Sequence, residues 1–202
     1  MSHNITVEGG KSVRLPTAGK YCDRDIVVTA EGGTADVANV IVALITGSNY
    51  VDDIESDVTS IRSYAFYGTD FKNIRLPNLT TVSSRCFYEC RSLESVYIPN
   101  VEALSGYDFR YCVSLKSIEL PKVKTISAYS FHACTTLQTV ILRTDTVCTL
   151  ENVNAFSNMP VEKGAGYIYV PSALVDGYKS ATNWSTYESQ IRAIEDYPDI
   201  CG

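Results

Sequence analysis

Three consecutive segments of this chain are near copies of one another. They read TTVSSRCFYECRSLESVYIPN at 80–100, EALSGYDFRYCVSLKSIELPK at 102–122 and KTISAYSFHACTTLQTVILRT at 124–144. They align without a gap at a spacing of 22 residues. Phe87, Phe109 and Phe131 share one column, and Cys90, Cys112 and Cys134 another. Leu93, Leu115 and Leu137 form a third, followed by Val96, Ile118 and Val140, then Ile98, Leu120 and Leu142. A repeat of about 20 to 30 residues is the signature of a solenoid, in which no unit buries its apolar face until it meets a neighbour.

The end of each unit, L-x-x-V-x-I, reads as a short strand with Val96 and Ile98 pointing in and Ser95 and Tyr97 pointing out. Pro99 stops it, having no N–H to donate to a ladder. The middle, SSRCFYEC, reads as one or two helical turns with a Ser cap, Phe87 and Cys90 sharing a face at i, i+3. The residue before each Phe is small (Ala65, Cys86, Ser130, Ala155), which predicts close packing between coils; Asp108 departs from this and needs a partner for its carboxylate.

An earlier coil, VTSIRSYAFYGTDFKNIRLP, carries the same signature one residue shorter, with Gly68 and Thr69 near the empty cysteine column. A later one, TLENVNAFSNMPVEKGAGYIYVP, keeps it with about three residues added. The array is therefore expected to hold about five coils of roughly 22 residues. Beyond it, Ser172 to Ile194 reads as two helical pieces with a capping box at Ser185 and Glu188. Val175, Tyr178, Trp184, Tyr187, Ile191 and Ile194 are expected to face the last coil.

Ahead of the array, ITV, VRL and DIVVTA read as short strands separated by glycine and proline turns. Asp36 to Ile45, DVANVIVALI, reads as a helix closing the open end of the stack. The chain thus divides into a small N-terminal β-module at 1–31, a linker and cap at 32–56, repeats at 57–171 and a helical cap at 172–202.

IRSYAFYGTDFKNIRLP and LSGYDFRYCVSLKSIELP are similar to the BspA-like leucine-rich repeats of bacterial proteins, and the resemblance runs from about Ile54 to Ile194. It implies a right-handed leucine-rich-repeat solenoid with a parallel β ladder on one face and short helical turns. It also implies protein binding and adhesion at bacterial surfaces. ITVEGGKSVRLPTAGKYCDRDIVVTA resembles small β-modules of phage and prophage structural proteins, which implies a particle component and homo-oligomers formed through that module.

Net charge is −6, and no run of Lys and Arg offers a nucleic-acid footprint. The longest apolar run, Val37 to Ile45, is far below the roughly 18 residues of a membrane span. No basic segment followed by an apolar core opens the chain, so no secretory signal is read; a phage or prophage particle, the cytoplasm and a surface protein with a longer chain all fit.

Recurring cysteine first suggests thiol or metal chemistry. Stacked strands lie about 4.8 Å apart, so the three sulfurs of a straight column cannot all come within about 2.3 Å of one Zn²⁺. Repeat-position thiols read as small core residues. His132, two residues before Cys134, falls in an outward column with Tyr67, Tyr88 and Arg110, so the pair points apart. No catalytic motif, cofactor fingerprint or metal motif is present. Positions free to vary are outward ones: Arg75, Tyr97, Glu119 and Ile141 on the strand face, and Tyr64, Tyr107 and Tyr129 in one tyrosine column. The first set, mixed in charge and apolarity, suits a protein or cell-surface ligand; the second also suits a glycan, through ring stacking.

Overall fold

The computed structural model describes residues 59–201 with their side chains, and the backbone of residues 4–7, 11–14, 28–30 and 58 before them. The expected helix at Asp36–Ile45 and the linker lie outside the described residues.

The chain begins with β1 (Asn4–Val7) and β2 (Lys11–Arg14), an antiparallel pair. β3 (Val28–Ala30) pairs antiparallel with β4 (Val58–Ile61), and from β4 onward neighbouring coils pair in parallel. β5 (Asn73–Arg75), β6 (Thr81–Val82), β7 (Ser95–Tyr97) and β8 (Ala103–Leu104) follow. Then come β9 (Ser117–Glu119), β10 (Thr125–Ile126), β11 (Thr139–Ile141), β12 (Thr149–Leu150) and β13 (Tyr167–Val170). The cap carries α1 (Val175–Ser180), β14 (Ile191–Ala193) and α2 (Pro198–Cys201).

Each coil supplies two rungs. The longer strands are the expected ones: Ile74, Ile118, Val140 and Ile168 point into the core from β5, β9, β11 and β13. The two-residue strands β6, β8, β10 and β12 form a second parallel ladder that continues to β4 and β3. Their second residues, Val82, Leu104, Ile126 and Leu150, are buried.

The phenylalanine column is one continuous stack. Phe66, Phe87, Phe109, Phe131 and Phe156 follow each other at 5.2, 4.9, 5.5 and 5.6 Å between ring centroids, with planes within 15° of parallel. Trp184 ends it, 5.7 Å from Phe156.

In the first four coils the stretch around each Phe is made of tight turns where helical turns were expected. The residue two before Phe is left-handed at Tyr64, Arg85, Tyr107 and Tyr129, and the residue two after it is left-handed at Gly68, Glu89, Tyr111 and Ala133. A right-handed helix cannot pass through such residues. The strained geometry turns backbone N–H groups across the coil boundary: Arg85 donates to Gly106, Glu89 to Arg110, Tyr111 to His132 and Ala133 to Ser157. Inter-coil hydrogen bonds thus offset a conformational cost of about 1–3 kcal/mol per residue. The fifth coil does form a short 3₁₀ helix, Val153–Phe156.

The cap is tied to the fifth coil through aromatic tips. The Trp184 indole donates to the Cys148 carbonyl at 2.6 Å, and the Tyr187 hydroxyl to the Val153 carbonyl at 2.6 Å. The Tyr178 hydroxyl accepts from the Cys148 N–H at 3.1 Å. Two sequence expectations are corrected here. Residues 184–190 form a kinked 3₁₀ stretch opened by Asn183, so no α-helical first turn exists for a Ser185–Glu188 capping box. Ile191 lies in a strand: β14 pairs parallel with β13 and adds a rung to the ladder.

Candidate functional site

Parallel register sets two outward rows on the strand face. One holds Asn73, Ser95, Ser117, Thr139 and Tyr167; the other holds Arg75, Tyr97, Glu119, Ile141 and Tyr169. The Arg75 guanidinium lies over the Tyr97 ring, 4.1 Å from its centroid. Ser95 donates to the Asn73 side-chain oxygen at 2.5 Å. Glu119 is held by Arg143, Nε to carboxylate 2.5 Å.

The ladder on this face is divided. β5 pairs with β7, and β9 continues through β11 and β13 to β14, but β7 and β9 are not hydrogen-bonded to each other. Val96 is accordingly only half-buried, unlike its column mates Ile118 and Val140. A cavity of about 330 Å³ opens at the division, lined by β7 and β9 with Thr139, Ile141 and Ile200. Its lining combines the hydroxyls of Ser95, Ser117 and Thr139 with an exposed tyrosine, a carboxylate, Val96 and three isoleucines. Three of the four strand-face residues singled out from the sequence, Tyr97, Glu119 and Ile141, line it; Arg75 touches it through Tyr97.

Ile141 is only 6% exposed. It does point outward, but Cys201 and Tyr169 pack with it in a small cluster completed by Ile194 and Tyr197. The segment from Ile194 to Cys201 therefore lies across the strand face over β11 and β13, fixed by a hydrogen bond from the Arg143 guanidinium to the Cys201 carbonyl. Coils from β5 to β9 keep their outward residues open.

The tyrosine column lies in the turns. Tyr107 and Tyr129 stack at 5.0 Å, and Tyr64 reaches them through Arg85, which sits 5.7 Å from the Tyr64 ring centroid and 4.5 Å from that of Tyr107. Arg85 and Arg110 are functional candidates that reading for tyrosines passed over. The signal was present: each is a cation standing in a column that the other three of the first four coils fill with rings.

The thiols of the repeat column bridge neighbouring coils. Cys90, Cys112 and Cys134 donate to the carbonyls of Phe66, Phe87 and Phe109 in the preceding coil, at 2.9, 3.1 and 2.9 Å. In the first coil Thr69 stands near this column and bonds the Phe66 carbonyl itself at 3.0 Å. Burial pushes the Cys134 thiol up to about 12. Cys201, next to the last residue, is buried against Ile141 and Tyr169. His132 turns away from Cys134, its Nδ1 2.6 Å from Ser157 Oγ, with its ring against Tyr111 and Tyr129. Partial burial and the neighbouring Arg110 lower its pKa.

Asp108 is fully buried between Cys86 and Ser130 in the small-residue column. One carboxylate oxygen accepts from the Gly106 N–H at 3.1 Å, and the other has no partner. Burial pushes its pKa up to about 7.

Stacked coils, a parallel strand ladder and an aliphatic core at 22-residue intervals define a leucine-rich-repeat solenoid. The BspA type leucine rich repeat region matches residues 52–163 in six copies, and the chain belongs to that family. Among solved structures it is similar to the leucine rich repeat protein of T. pallidum, with 21% identity and a TM-score of 0.47. That similarity covers 56% of this chain and 52% of the other, so the chain spans about half the length of that protein. No curated protein matches it. Among the described residues, no helix is long and apolar enough to cross a membrane.

Proposed function

We propose that this chain is a non-enzymatic recognition protein that takes a polypeptide ligand, free or at a cell surface, on its strand face. The observation that carries this reading is the cavity at the division between β7 and β9. It combines an exposed tyrosine, 45% accessible, with a carboxylate, hydroxyls and isoleucine side chains. Rigid aromatic anchors beside mixed polar groups are what protein recognition uses. Arg75 stacked on Tyr97 restricts the rotamers of both, so less freedom is lost when a ligand docks.

Selection from a random peptide library tests this. Recovered peptides should bind the wild-type chain and lose at least tenfold in affinity against Tyr97→Ala, while Lys163→Ala, an exposed site away from the cavity, leaves them unchanged. Peptides indifferent to Tyr97→Ala would remove the strand face as the site.

Two biological settings suit such a surface, a bacterial adhesin and a phage or prophage particle component. The resemblance of residues 4–30 to phage modules favours the second, with oligomers formed through that module. Light scattering on the whole chain and on a variant beginning at Asp36 separates them: an oligomer that becomes a monomer supports the particle. A glycan site at Tyr64, Tyr107 and Tyr129 is less favoured, because Arg85 and Tyr129 occupy the neighbourhood of the Tyr107 ring where a sugar would stack.

A further inference from the structure

Two guanidiniums converge on one ring in the turns. Arg85 is 4.5 Å and Arg110 5.5 Å from the Tyr107 centroid. Arg110 also lies within 6 Å of the ring centroids of Tyr88, Tyr111 and Tyr129. Among the described residues neither arginine has a carboxylate partner within ion-pair distance. The carboxylates nearby are engaged elsewhere: Glu89 pairs with Arg91, Glu162 accepts from the Asn158 N–H, and Asp108 turns inward to Gly106. Arg110 is under-satisfied as well. It donates once, to the Tyr111 hydroxyl at 3.0 Å, while its enclosed Nε has no partner.

Two like charges sharing a ring repel each other, and the cost is larger where side chains exclude water. In a chain of net charge −6, carboxylates to neutralise them are plentiful, yet none is placed there. Stacked guanidiniums keep their in-plane N–H groups for a planar anion, and aromatic neighbours hold them ready at little entropic cost. No lysine takes part, and the tyrosine faces are covered by one another and by the arginines. That combination fits carboxylate forks better than phosphate or a stacked sugar.

From this the structure assigns the belt of Arg85, Tyr107, Arg110 and Tyr129 as a second interaction surface, separate from the strand-face cavity, for an acidic polypeptide segment bearing successive Asp or Glu side chains. Residues in adjacent coils supply the two cations, so the segment runs along the solenoid axis and meets one guanidinium per coil.

Fluorescence anisotropy with a labelled ten-residue polyglutamate tests the assignment, with polyglutamine as the neutral control. The wild-type chain should bind polyglutamate, not polyglutamine, and binding should weaken as salt rises. Arg110→Gln and Arg85→Gln should each weaken it at least tenfold, whereas Lys163→Gln, which removes a charge elsewhere, should not. Arg85→Lys keeps the charge but loses the fork, and should fall between. Thermal unfolding of each variant shows that the fold survives; if Arg110→Gln fails to fold, the Arg85 pair decides. Equal affinity in all variants, no binding by the wild type, or binding of an acidic oligosaccharide with no binding of polyglutamate would each overturn the assignment.

Discussion

The thiol of Cys112 donates to the carbonyl of Phe87 across a coil boundary, at 3.1 Å. The same link recurs from Cys90 to Phe66 and from Cys134 to Phe109. Cysteine recurs here because the site needs a donor small and apolar enough to sit in a closed core. Cys112→Ala should therefore cost about 1 kcal/mol for the lost bond, since the Phe87 carbonyl still accepts from the Cys90 N–H at 3.2 Å. Cys112→Ser keeps a donor and should cost less. Urea unfolding of both variants checks the order, and a serine variant weaker than alanine would refute the donor role.

Reactivity follows from the same burial. The thiolate is the reactive form, and burial pushes the thiols of Cys134 and Cys148 up to about 12. A thiol reagent added to native protein should label Cys134, Cys148 and Cys201 slowly, and quickly in denaturant. If Cys201 reacts fastest of these, the segment over the strand face lifts away without global unfolding. Peptide mapping of the labelled chain gives the order.

Asp108 makes stability fall as pH rises. Its carboxyl is held at about 7 in the fold against an ordinary 3.8, so the folded state keeps a proton that the unfolded chain has released. Between about pH 4 and pH 7 that difference costs on the order of 4 kcal/mol, and the loss levels off above pH 7. Asp108→Ser, which places in this coil the residue found at position 130, should remove that slope and raise stability at pH 8. Thermal unfolding of wild type and variant at pH 5 and pH 8 measures it, since other carboxylates contribute equally to both.

The left-handed positions offer a paired test. Ala133 has φ 59° and Gly68, in the same column, has φ 64°. Ala133→Gly should stabilise by roughly 0.5–1 kcal/mol, because glycine adopts this conformation freely. Gly68→Ala should destabilise by about the same amount. Both keep the N–H that bonds the next coil, so chemical denaturation isolates the backbone effect.

Much of the core was legible because a 22-residue repeat makes every inward position visible several times. Phe87, Phe109, Phe131, Leu93, Leu115 and Leu137 are all fully buried, as their columns required. The second ladder was not legible. A strand of two residues, Thr81–Val82 or Ala103–Leu104, is too short for alternation to register. Nor do Tyr, Arg, Glu and Ala announce a left-handed backbone in the way Gly or Asn would, so the turns read as helix.

Of the strand face, alternation correctly turned Tyr97, Glu119 and Ile141 outward. It could not show that a later segment, outside the repeat, folds back over Ile141. The division between β7 and β9 has no mark either, since Ser95-Val96-Tyr97 and Ser117-Ile118-Glu119 fit the same pattern. The tyrosine column was legible as a column, but its chemistry depends on Arg85 and Arg110, which look like exceptions until the coils are stacked.

The division in the strand ladder also bears on how the solenoid carries load. Elsewhere from β5 to β13, successive coils are joined by long rungs on one side and short rungs or turns on the other. Between β7 and β9 no long rung crosses, and the second and third coils are joined by the short pairing of β6 with β8, the turn hydrogen bonds such as Phe87 to Asp108, the Cys112 thiol and the stacked rings of Phe87 and Phe109. Stiffness is therefore not even along the array. Tension applied along its axis should first open the strand-ladder side between the second and third coils, while the core column and the turns still hold them together.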